Sequence, residues 1–268
     1  MNLREQYLKL KLNFSSVTLL IVVNVLFFVL STILAEFKGS TNALGVLGAE
    51  FVPDILRGQY WRLMMPAFLH ANLFHLILNM WALYHLGGAI ETFYGHGKVL
   101  VVYIITGFFG SLLSVIATLL FQFYFSQGSG GFSISVGSSA AVFGFVGLLI
   151  GNKFKKNTFS VSIDNYINTS QLWFFVGVNI LFGFGLNLGT NMLQNVGLNN
   201  IEKIAINNWA HIGGFLAGIV LGIILDLVNT TYQSKSKLLI EKFLFVFASI
   251  LIIMSLIGQS VYIFTSIN

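Results

Sequence analysis

The sequence predicts an all-α fold, that of a polytopic membrane protein built from apolar helices. Three observations predict it. Hydrophobic residues make up 56% of the 268, and charged residues only 9%, where a soluble domain carries about 25% charged residues. Apolar runs near the ~20 residues that a bilayer requires recur along the chain. The basic residues stand beside those runs, the pattern by which membrane proteins fix their orientation. The net charge of +5 therefore needs no nucleic-acid partner. There is no cysteine, which excludes a disulfide framework and a thiolate metal site.

The elements follow in order. Residues 1–13 form a short basic lead with Arg4, Lys9 and Lys11. The first span is expected at 14–35. It is too long for the core of a cleaved signal and lacks a small-residue exit, so it reads as an anchor that stays. Residues 36–66 form a mixed loop, in which Phe51, Val52 and Trp61 suggest the membrane interface. The second span, 69–86, is polar for its depth, with His70, Asn72, His75, Asn79 and His85. A tight connection at 87–98 leads to the third span, 99–125. A Gly/Ser-rich run precedes the fourth span, 139–151, which is short enough to begin below the membrane surface at the floor of a cavity. The fifth span is expected at 172–188, the sixth at 209–228 and the seventh at 243–264. The chain thus divides into a cytoplasmic segment (1–13), a six-span core (14–232), and a linker with a seventh span (233–268). With the N-terminus in the cytoplasm, only Lys38, Arg57, Arg62 and Lys203 of the basic residues fall outside. That imbalance supports this orientation and opens the Ser139 end outward.

Chemistry gathers on three of the spans. Ser139 opens the fourth, where free backbone N–H groups and the positive dipole end suit an oxygen that becomes an anion. An ordinary serine cap is the plainer alternative. His211 stands at the start of the sixth span, ahead of Gly214, Gly218 and Gly222 at i, i+4, i+8. Ala140, Gly144, Gly147 and Gly151 form a matching set on the fourth span. Such small-residue stripes let helices approach closely, so these two spans are expected to pair and bring Ser139 to His211. Packing alone also explains the glycines, but an ionisable group inside a membrane is a functional candidate by default. His75 and Asn79, at i and i+4, share a face of the second span and can both donate to one point. They also fit a helix–helix staple. A metal site pooling His70, His75 and His211 is weaker, because no carboxylate or Cys joins them.

Five motifs occur in order: Trp61-Arg62; His70, His75 and Asn79; Gly87-Gly88-Ala89-Ile90-Glu91 with Tyr94-Gly95; Gly137-Ser138-Ser139; and Ala210-His211 with Gly214. Together they resemble the rhomboid family of intramembrane serine proteases, over about residues 61–222. The resemblance implies a rhomboid-like six-helix bundle with an added C-terminal transmembrane helix. It implies Ser139 as nucleophile and His211 as general base. It implies His75, Asn79 and the Ser139 backbone N–H as oxyanion donors, Trp61 and Arg62 as a structural motif of the outer loop, and Glu91 as a structural carboxylate at the cytoplasmic end. Ala140 stands where the family pattern has Gly, one extra methyl at the closest helix contact. Ser138 is one position early for the motif.

The residues agree with that chemistry. Serine is a weak nucleophile and needs an adjacent base. No acid stands near His211 in sequence; Asp226 is about four turns deeper. A Ser-His dyad follows, with Phe143, one turn below Ser139, placed to stack on the imidazole. No cofactor or metal is called for. The expected partners are the lipid bilayer and transmembrane protein substrates, helices with weak points near their outer ends, because a helical peptide bond must unwind before attack. Trp173, Phe174 and Phe175 are candidate gate residues or plain lipid-facing aromatics. Two other readings remain: an inactive rhomboid-like protein that binds transmembrane segments, and a transporter, for which no inverted repeat is visible.

Overall fold

The computed structural model describes residues 15–124, 132–155, 170, 172–173, 176–177, 207–226 and 235–267. Among these, all regular structure is helical, with one isolated bridge between Glu50 and Ser135. Four helices are long and apolar enough to cross a membrane: α1 (Ser16–Lys38), α4 (Leu73–Tyr94), α5 (His96–Tyr124) and α8 (Lys235–Ile267). Two shorter apolar helices among the described residues, α6 (Ser139–Lys153) and α7 (Asn208–Ile224), pack with them. The first loop folds into α2 (Ser40–Val46), α3 (Val52–Leu56) and two 3-10 turns, Tyr60–Leu63 and Met65–Phe68. The chain is a multi-pass membrane protein. Most of the expected fifth span, the Gly/Ser-rich run and the polar loop at 189–206 lie outside the described residues, as do Phe174 and Phe175.

The short α6 is the centre. Every residue from Ala140 to Asn152 is buried. Its closest partner is α7, which runs parallel to it. A Cβ on Gly214, Gly218 or Gly222 would strike the carbonyls of Ala140, Gly144 and Leu148 in turn. Reciprocally, one on Gly147 or Gly151 would strike the carbonyls of Phe215 and Ile219. Along this line a glycine on one helix faces a carbonyl of the other, so backbone meets backbone. On another side Gly144 leaves room for Thr106 of α5. The Ala140 methyl sits against Gly110 of α5, where a second Cβ would come within 2.6 Å. The extra methyl at position 140 is therefore accommodated by a missing one across the interface.

The second span begins later and ends later than its polarity and glycines suggest. Leu69 is extended, and Asn72 caps α4 by accepting from the His75 N–H at 2.9 Å. His70 thus precedes the helix. Gly87 and Gly88 do not form a turn. The helix runs through them to Tyr94, because Gly87 provides close approach to Val17 of α1 and Phe145 of α6. The actual turn is Gly95, with φ +84°, a conformation that costs other residues.

Trp61 is anchored within the fold. Its ring packs on Tyr262 of α8 at 5.8 Å and fills the space left by Gly258. Arg62, fully buried, donates to the carbonyls of Gly45 (2.8 Å) and Ala49 (2.9 Å) and pairs with Asp54 (3.2 Å). Its guanidinium lies 5.5 Å over the Tyr262 ring. Glu91 sits at the opposite end of α4, accepting from Ser15 Oγ (2.6 Å) and the Ser16 N–H (2.5 Å), so it holds the start of α1.

Candidate active site

Ser138 precedes α6 as its cap, and Ser139 is the first helical residue. The N–H groups of a helix's first turn have no intrahelical acceptor. His211 lies in the first turn of α7, whose start is capped by Asn207 through the Ala210 N–H (3.1 Å). Because the glycine stripes bring α6 and α7 together in parallel, the two first turns meet. Ser139 Oγ and His211 Nε2 are 2.8 Å apart. The Phe143 ring stacks on the imidazole, with centroids 4.4 Å apart and planes at 8°. His211 is only 7% exposed, and its Nδ1 has no hydrogen-bond partner among the described residues. Aromatic stacking and burial therefore hold the ring. Asp226 pairs with Lys237 (3.1 Å) and Lys155 (3.6 Å) at the far end of the bundle.

The two serines separate cleanly. Ser138 is buried, and its Oγ lies 3.4 Å from His70 Nε2. Ser139 is half-buried and faces His211. His70 in turn packs edge-on against His75, with ring centroids 5.1 Å apart. The His75 ring comes to Ser139 through Gly137. A Cβ at Gly137 would lie 2.8 Å from His75 Nε2 and 3.5 Å from Ser139 Oγ. Gly137 has φ +136° and donates its N–H to the Pro66 carbonyl at 3.0 Å. That carbonyl is fixed in turn, because the next one, Ala67, accepts from Tyr103 Oη of α5 at 2.5 Å. Asn79 is buried one turn along from His75, and one of its amide hydrogens goes to the His75 carbonyl at 3.1 Å. Its second amide hydrogen is free of that bond.

Of the residues expected to form the site, Ser139, His211 and His75 come together, with Asn79 one turn away on the His75 helix. Gly214 lies against Ala140 in the interface that sets their spacing. Trp61, Arg62 and Glu91 lie elsewhere, as loop and helix fasteners. No three His, Asp or Glu side chains among the described residues form a metal-ligand group. Sequence reasoning missed Asn207. An Asn just ahead of an apolar run is a helix-start signal, and Asn207-Asn208 before Trp209 carries it.

The fold and site define a multi-pass membrane protein with a serine–histidine pair at the mouths of two backbone-packed helices. The chain belongs to the rhomboid family, whose rhomboid domain matches residues 57–227. It is 30% identical over 243 residues to RHOMBOID-like protein 2 of Arabidopsis thaliana, covering 87% of this chain and 67% of that one. It is 32% identical over 190 residues to the rhomboid protease GluP of Bacillus subtilis, covering 69% of this chain and 31% of that one. It is 32% identical over 133 residues to Rhomboid-like protease 3 of Toxoplasma gondii, covering 49% and 46% of the two. The chain thus spans under half the length of the latter two relatives.

Proposed function

We propose that this protein is an intramembrane serine endopeptidase that cleaves membrane-anchored substrates through a Ser139–His211 dyad. The observation that carries the reading is the 2.8 Å contact between Ser139 Oγ and His211 Nε2. The membership of named proteases in the same family supports it.

In the mechanism we infer, His211 holds its proton on Nδ1, and Nε2 accepts the Ser139 proton as Oγ attacks the scissile carbonyl. The carbonyl oxygen becomes an anion beside the Ser139 N–H, the His75 ring and the Asn79 amide. Preorganised donors of this kind are worth roughly 3–4 kcal/mol each. The imidazolium then protonates the leaving amine, giving an acyl-enzyme on Ser139. Water, deprotonated by His211, releases the acid product and restores the serine. Phe143 keeps the imidazole in one plane through both steps, the service an acid performs in a triad. The N-terminus is assigned to the cytoplasm and the site to the outer side, from the distribution of Lys and Arg. Substrates are transmembrane helices that unwind near that side. Trp173, half exposed and edge-on to Phe215 of α7 at 5.8 Å, is assigned to the entry path.

The test is cleavage of a reporter transmembrane substrate by the purified chain. Wild type is expected to cleave it, and His211→Ala to lose the activity. Full activity of a Ser139→Ala variant in cells would favour instead a protein that binds transmembrane segments without cutting them.

A further inference from the structure

Glu50, between α2 and α3, is only 4% exposed, and no cation pairs with it among the described residues. Arg62, in the same loop, is committed to Gly45, Ala49, Gln59 and Asp54. A buried carboxyl without a counter-ion is costly, so its surroundings are informative. Glu50 Oε1 accepts from Ser114 Oγ of α5 at 2.5 Å. Ser114 Oγ accepts from the Asn207 amide at 2.6 Å, which also reaches Ser135 Oγ at 3.0 Å and Glu50 Oε1 at 3.5 Å. The other end of the Asn207 side chain caps α7 at Ala210, and the Asn207 carbonyl accepts from the His211 N–H at 3.3 Å. The Glu50 backbone meanwhile pairs in both directions with Ser135, at 3.0 Å each way, two residues ahead of Gly137. One residue therefore ties down the segment that leads to Ser139 and the cap that carries His211.

We propose that Glu50 is a positioning residue for the dyad, acting through Ser114 and Asn207 on the first turn of α7 and through Ser135 on the approach to Ser139. This rests on the reading of Ser139 and His211 as nucleophile and base. The chain of donors has one sense. Asn207 donates to Ser114, Ser114 to Glu50, and an ionised Glu50 pulls that chain tightest, since charge-assisted bonds are the stronger ones. Burial pushes the Glu50 carboxyl up to about 7, opposed by its hydrogen bonds to Ser114, Ser111 and Asn207. The tie therefore tightens as pH rises through neutrality.

The experiment is the rate at which a fluorophosphonate labels Ser139 in the purified full-length protein across about pH 5 to 9, with melting temperatures taken in parallel. Wild type, Ser139→Ala, Glu50→Gln, Glu50→Leu and Ser114→Ala are compared. Wild type is expected to label and Ser139→Ala not to. If wild type fails to label, the proteolytic reading itself fails and takes this inference with it. Glu50→Leu is expected to slow labelling roughly 10- to 100-fold, the scale of a small misplacement of a reacting group, without lowering the melting temperature. Glu50→Gln, which still accepts from Ser114, is expected to recover most of the rate at neutral pH but to lose the step near pH 7. The titration of His211 is common to both. Should Glu50→Leu not fold, Ser114→Ala severs the same chain and is expected to slow labelling severalfold. Wild-type rates in a folded Glu50→Leu or Ser114→Ala protein, or an unchanged pH step in Glu50→Gln, would overturn the proposal.

Discussion

The two ends of the α6–α7 pair use opposite chemistry. At the Ser139 end, the contacts are uncharged hydrogen bonds and ring stacking: Ser139–His211, Phe143–His211, Ser138–His70. At the far end, Lys98 pairs with Glu241 at 2.7 Å and donates to the Asp226 carbonyl, while Lys155 and Lys237 converge on the Asp226 carboxylate. Those ion pairs join α5, the ends of α6 and α7, and α8. The difference teaches where this fold places its fixed charges. The Asp226 cluster fastens the helix ends away from Ser139 and His211, while those two side chains touch no carboxylate among the described residues, so that in the proposed mechanism the proton passes between them with no acid next to either. Between the two ends lies a line of glycines that neither end can work without, because it fixes both separations at once.

The comparison breaks most severely along that line. Gly218→Val adds side-chain atoms where even a Cβ meets the Gly144 carbonyl. Neither partner is a flexible side chain, so the helices must part. A loss of 3 kcal/mol or more is expected, about the upper range for overpacking, together with loss of fluorophosphonate labelling, measured by thermal unfolding in detergent and by labelling of the same samples. At the charged end, Asp226→Asn leaves Lys155 and Lys237 without their carboxylate and is expected to cost roughly 3 kcal/mol, as breaking a buried pair does. The labelling rate per folded molecule should stay near wild type, which sharpens the division of labour between the ends.

Stability against pH tests the Ser139 end. The folded Glu50 carboxyl titrates at about 7, above its ordinary value of 4.5. A raised value means that the folded state holds the proton more tightly than the unfolded one. The Glu50 contribution is therefore complete below about pH 4.5 and is lost as pH rises to about 7. Glu50→Gln should remove this slope, so that its melting temperature exceeds that of wild type more at pH 8 than at pH 5. The smallest effect is expected at Gly88. A Cβ there meets nothing within 4 Å, and the residue lies inside α4. Gly88→Ala should stabilise by up to about 1 kcal/mol through helix propensity alone, in contrast to the Gly218 substitution.

Much of this was legible in the sequence, for physical reasons that differ by region. The α6–α7 pairing followed from i, i+4 small residues, because close backbone approach has few other causes. The stacking of Phe143 on His211 followed from helical spacing once that pairing was granted. The extent of α4 did not. Gly87-Gly88 looks like a breaker, and only the proximity of Val17 and Phe145 explains why the helix keeps a glycine at 87, while nothing in the structure requires one at 88. The packing of Trp61 was not legible either, since nothing local announces that Tyr262 and Gly258, some two hundred residues on, will lie against it. The Glu50–Ser114–Asn207 chain was invisible for the same reason. Its members are separated by long stretches, and only Asn207 carries a local signal, that of a helix start.

The central claim is that Ser139, and not its neighbour Ser138, is the nucleophile activated by His211. It is tested most directly by labelling the full-length protein with a fluorophosphonate and locating the adduct by peptide mass spectrometry, in wild type, Ser138→Ala, Ser139→Ala and His211→Ala. The account predicts an adduct on Ser139, retained in Ser138→Ala and lost in the other two variants. An adduct on Ser138, or undiminished labelling in His211→Ala, would contradict it.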